Sequence, residues 1–159
     1  MTEDARFEDG GEAALRLKAL DADDLGVISA LVQDAVFPAS EMKWARKHRR
    51  FALLLNRFRW EDAPKATARA RGFERVQSVL VIEDVLKVQS LGVLRGDSGV
   101  VMSLLSMVFE PGSDGMGRIV LTLAGDGVIA VEVEALEVVL RDVTRPYRAP
   151  SGKLPGHPD

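Results

Sequence analysis

Cationic and aromatic side chains crowd one stretch of this chain. Between Lys43 and Arg75 there are eleven Lys and Arg residues against three acids, Glu61, Asp62 and Glu74, a net of +8. Residues 1–42 carry a net −7 and residues 76–159 a net −4, so a chain of net charge −3 is strongly polarised along its length. Trp44, Phe51, Phe58, Trp60 and Phe73 are interleaved with the cations. Cations beside aromatic faces grip single-stranded nucleic acid by charge and stacking. Lys43, Arg46, Lys47, Arg49, Arg50, Arg57 and Arg59 are therefore candidate anion-binding residues. Two plainer readings compete: the cations meet the acidic remainder of the same chain, or they dock a protein partner. The acidic total also weakens non-specific attraction to nucleic acid. Strand alternation would put Phe51, Leu53, Leu55, Arg57 and Arg59 on one face, with Ala52, Leu54, Asn56, Phe58 and Trp60 on the other. The aromatics are then split between faces, and some belong to the core.

Nucleophilic and metal chemistry have less to stand on. Gly96-Asp97-Ser98-Gly99 matches the residues around the serine of chymotrypsin-like proteases, but that mechanism needs a His held by an Asp. His48 lies among Lys47, Arg49 and Arg50, with no carboxylate beside it in sequence, and His157 sits among prolines. Four small turn formers between two strands suffice to explain the motif. There is no cysteine, hence no disulfide framework, thiolate or zinc ribbon, and this agrees with a cytoplasmic location. The two histidines make no ligand pair. Glu132, Glu134 and Glu137 could hold a hard cation, but read first as the wet side of an edge strand or helix. Glu83 and Asp84 are adjacent, so in a strand they face opposite ways. The Gly112–Gly117 run joins two strands and lacks the helix N-terminus that binds phosphate. No catalytic, cofactor or metal residue is assigned. An enzyme built on Asp, Glu and Arg alone would instead need a deep pocket with buried carboxylates.

These side chains need a scaffold, and 159 residues that are 47% hydrophobic suffice for one domain. Residues 1–14 are acidic and read as a flexible N-terminus with no secretory signal. Residues 15–143 read as a single α+β domain, and 144–159, with four of the seven prolines, as an extended tail. Leu15–Leu20 reads as a strand. Asp21 is an N-cap with Asp23 and Asp24 in the first turn, and Leu25, Ile28, Leu31, Val32, Ala35 and Val36 continue a helix until Pro38. Met42–Arg46 and Arg50–Trp60 form a hairpin, and residues 63–72 a loop. Arg75–Ile82 and Val85–Leu91 are strands kinked at Glu83-Asp84. Val100–Glu110 is apolar on both faces, as a central strand packed on two sides would be, or half of a dimer interface. It is half the length that spans a bilayer. Gly125-Asp126-Gly127 marks a hairpin. Residues 135–143 fit either a short helix or a strand, and a helix covering one face of the sheet is favoured. The expected fold is a mostly antiparallel sheet or partly closed barrel. One candidate is pleckstrin-homology-like, with an N-terminal helix and a short C-terminal one.

Four strings in the chain resemble a bacterial family known as domain of unknown function 2948. They are residues 17–36 from Leu17-Lys18-Ala19-Leu20-Asp21, residues 50–61 from Arg50-Phe51-Ala52-Leu53-Leu54-Leu55-Asn56-Arg57-Phe58-Arg59, and Leu140-Arg141-Asp142-Val143-Thr144-Arg145-Pro146-Tyr147, with Val85–Ser90 beside them. The resemblance implies a small bacterial cytoplasmic protein and brings no activity, cofactor or catalytic residue. The expectation is a non-catalytic binding domain, for a protein partner or a second copy of itself, with no membrane and no cofactor. The alternative is an anionic ligand or nucleic acid on the 43–75 segment.

Overall fold

The computed structural model describes residues 14–59, 74–92 and 100–145, and the backbone of 147–148. In chain order they form β1 (Arg16–Ala19), α1 (Ala22–Leu31), β2 (Ala35–Pro38), β3 (Met42–Ala45), β4 (Arg50–Phe58), β5 (Glu74–Ile82), β6 (Val85–Leu91), β7 (Val101–Pro111), β8 (Gly117–Leu123), β9 (Val128–Val133), β10 (Val138–Asp142) and β11 (Tyr147–Arg148). The expected readings of residues 1–13, of the 63–72 loop, of Gly96–Gly99 and of most of the tail lie outside the described residues.

Local chemistry explains most boundaries. The Asp21 carboxylate accepts the Asp24 N–H at 2.8 Å, while Asp23 and Asp24 sit at the positive end of α1. The helix ends at Leu31, not at Pro38 as its apolar spacing suggests. Asp34 takes a left-handed backbone (φ 63°) and its N–H donates to Leu104 O, which turns Ala35–Pro38 into a strand beside β7. Gly125 and Asp126 both have positive φ, 81° and 70°. Leu123 N–H donates to Gly127 O at 2.8 Å, so residues 124–126 make the short loop of the β8–β9 hairpin.

All pairings are antiparallel, in the order β1-β10-β5-β4-β2-β7-β8-β9-β6, with β3 added to β4 and β11 to β5. Alternation sends one side chain in two to a common inner face. Phe51, Ile82, Val138 and Ala19 make one buried row across β4, β5, β10 and β1, and Leu53, Leu80, Leu140 and Leu17 make the next. Met107, Leu121 and Ile129 continue the core across β7, β8 and β9. Helix α1 lies against β7 and β1, burying Leu25 and Ile28, and its Ser29 Oγ accepts the Met107 N–H where the β7 ladder slips register.

The sheet curls without closing. Its end strand β6 comes back to the β3–β4 hairpin, where Val85 N–H donates to Arg49 O at 2.9 Å, but the path stops at β6 and no ladder joins it to β3. The fold is thus α+β with a mostly antiparallel sheet and a single α-helix among the described residues. The pleckstrin-homology-like arrangement and the C-terminal helix are not found: the 135–143 segment runs as β10 between β1 and β5. Burying Val138, Leu140 and Asp142 on one face completes two core rows, which a helix there would leave open. Nor is β7 packed on two sides, since Val101 and Val108 are 65% and 55% exposed. No described helix is long and apolar enough to cross a membrane.

Candidate binding groove

The seven candidate cations separate into three groups. Lys43, on the outer face of β3, and Arg46 and Lys47, in the 3-10 turn that follows, are exposed and form no ion pair with a described residue. Arg49 and Arg50 are exposed but engaged, Arg49 with Glu134 and Arg50 with Glu83 at 2.9 Å. Arg57 and Arg59 are inside the protein, at 0% and 5% exposure. A polyanion approaching the surface does not reach them, so they leave the anion-binding set. The aromatics part in the same way. Phe51 and Phe58 are core, Trp44 is half-buried, and Trp60 and Phe73 lie outside the described residues.

Among the described residues, Arg57 is held by a polar cluster. Its Nε donates to Ser78 Oγ (3.0 Å), its Nη1 to Phe58 O (3.1 Å), and its Nη2 to Asp142 Oδ1 (3.0 Å). Ser78 Oγ donates to the same Asp142 oxygen at 2.7 Å, and Leu15 N–H donates to Asp142 Oδ2 at 2.9 Å. The cluster ties β1, β4, β5 and β10 together at one end of the core. Arg57 and Asp142 face each other as a buried ion pair, so the cluster serves as a structural clamp.

The seam between β3 and β6 supplies a different kind of site. A hollow of about 260 Å³ is lined by Ala39, Ser40, Met42, Trp44, Phe51, Val88, Ser90 and Ile129. A second, of about 520 Å³, is lined by Trp44, Arg46, Arg49, Val85, Leu86, Lys87 and Val88. Trp44 and Val88 line both, so the two abut in one groove. Inward-pointing Met42, Trp44, Val88 and Ser90 form its floor, and it is apolar because these positions belong to the core side of each strand. Arg46 and Lys87 rim it without an ion pair among the described residues, although Lys87 stands opposite Glu132 in register. Sequence reasoning found Trp44 and Arg46 but missed Lys87, Val88 and Met42. Their residue types carry no motif, and only the curl of the sheet brings β6 to β3.

The remaining carboxylates do not gather. Glu134 bonds Arg49, Glu137 lies 3.6 Å from Lys18, and Glu132 is near Arg118. The Arg118 guanidinium is held above its ordinary pKa chiefly by its hydrogen bond to Glu110, whose charge adds to the effect. No group of three His, Cys, Asp or Glu residues suited to a metal occurs among the described residues. No curated protein and no solved structure matches the chain. One family model, described as a protein of unknown function, matches residues 15–157, nearly the whole chain, and the protein belongs to that family, DUF2948.

Proposed function

We propose that this chain is a non-catalytic binding module that docks a protein partner in the groove between β3 and β6. The supporting observation is an apolar floor of Met42, Trp44 and Val88 rimmed by two cations, Arg46 and Lys87, that form no ion pair among the described residues. An apolar side chain flanked by carboxylates satisfies both parts at once, since it covers the floor and meets the charge. The cysteine-free sequence suits a bacterial cytoplasmic setting. A polyanion is less well served. Three of the seven candidate cations, Lys43, Arg46 and Lys47, are exposed and without an ion pair among the described residues, and they stand beside a single half-buried aromatic, Trp44.

Photo-crosslinking in cells tests this reading. A photoreactive residue replacing Lys87 is expected to give discrete protein adducts that one replacing Asp114, on the β7–β8 turn, does not. An adduct of twice the chain mass would identify the partner as a second copy. Identical adduct patterns at both positions would remove the groove as the docking site.

A further inference from the structure

Two strand edges face the same groove. β6 pairs only with β9 and β3 only with β4, so each has one unpaired edge among the described residues. Such an edge is a row of main-chain donors and acceptors that templates another strand. Proteins usually blunt it, and β6 does so weakly, with one cation, Lys87, a register slip beside Leu86, and Leu86 and Leu91 left exposed. The seam is tied at one end by the Val85–Arg49 hydrogen bond and is bordered by Ser40 and Ser90 at the other. Along it the side chains sort by face. Met42, Trp44, Val88 and Ser90 point to the floor, while Lys43, Ala45, Lys87 and Gln89 are exposed above it.

From this arrangement we infer that the groove takes an extended segment of alternating apolar and acidic residues, which adds as a strand to the open edge of β6. The inference rests on the groove reading above and specifies how the partner is held. Main-chain hydrogen bonds to β6 supply affinity, and alternate side chains supply selectivity. Apolar residues lie over Trp44 and Val88, while carboxylates stand beside Lys43 and Lys87, as opposite charges do on paired strands.

A blocked heptapeptide, Glu-Val-Glu-Val-Glu-Val-Glu, is a suitable probe, titrated into the full chain by calorimetry. Controls are the same sequence N-methylated at alternate residues, its Lys-for-Glu counterpart, and a block version with the valines together. Only the alternating acidic peptide is expected to bind well. N-methylation, which removes main-chain donors and keeps every side chain, is expected to weaken binding about tenfold or more. The exposed-site substitutions Lys43→Glu and Lys87→Glu are each expected to weaken it about three- to tenfold. Amide hydrogen exchange should slow in Lys87–Leu91 on binding. Equal affinity of the N-methylated peptide, or protection confined to another strand, overturns strand addition and leaves the groove in place. Failure of all four peptides to bind at millimolar concentration also overturns it, and the crosslinking at Lys87 then decides separately whether the groove docks a partner.

Discussion

Arg57 shows how one side chain changes meaning between sequence and fold. Counted along the chain it is one more cation in a basic block. By alternation, though, it shares a face with Phe51, Leu53 and Leu55, and all three prove to be core. Ser78 and Asp142 are the polar members of equally apolar faces on β5 and β10, and they meet Arg57 there. The burial was therefore legible from period-two reasoning, whereas the partner was not, because Asp142 is 85 positions away. Burying an ion pair costs desolvation that its mutual attraction roughly returns, but stranding one partner costs about 3–5 kcal/mol. Arg57→Ala and Asp142→Ala should each lower unfolding free energy by about that amount in urea titrations. Arg57→Met combined with Asp142→Leu should recover most of the loss, because neither member of this pair is then left without the other. Simple addition of the single losses in the double variant would show that the two residues do not act as a pair.

Elements were legible where short-range chemistry decides them. The Asp21 cap, the β3–β4 hairpin and the Gly125-Asp126 turn each depend on residues within a few positions of one another. Two segments were misread for the same reason. Ala35 and Val36 continue the helical spacing of α1, and Val139 and Val143 supply a helical alternative for β10. Tertiary pairing overrides both, through the Asp34–Leu104 hydrogen bond and through the core rows that β10 completes. At Gly117 the ladder itself sets the residue. A Cβ there would stand 2.5 Å from the Phe109 ring and 2.7 Å from Glu110 O, so the ring lies where a side chain would otherwise be. Gly117→Ala is expected to cost about 1–3 kcal/mol in urea or thermal unfolding. The strain should reach beyond β8, since Gly117 pairs with Val133, and Val133 with Val85 at the root of β6. A cost below a few tenths of a kcal/mol would mean that both the Phe109 ring and the Glu110 backbone give way freely.

For the whole molecule, what decides the site is the curl that returns β6 to the β3–β4 hairpin without a ladder. No residue or element announces this. It follows from nine strands in series, each twisted against the last. The charge layout likewise resolves only in three dimensions. Arg49 and Arg50 meet Glu134 and Glu83 across the tied end of the seam, while Arg46 and Lys87 stay available beside it. A seam bonded at one end and unladdered along the rest is expected to open as a hinge, because few contacts cross it. Spin labels can read this directly, as the chain has no cysteine to compete with introduced ones. A pair at Ala45 and Lys87, near the tie, should give a narrow distance distribution. A pair at Ser40 and Leu91, toward the far end, should give a broader one. Seating of the alternating acidic peptide should narrow the second while leaving the first in place, because an added strand fixes the spacing of its neighbour at about 4.8 Å. Equal widths for the two pairs, unchanged by the peptide, would show a rigid seam, and any partner would then have to fit the groove as it stands.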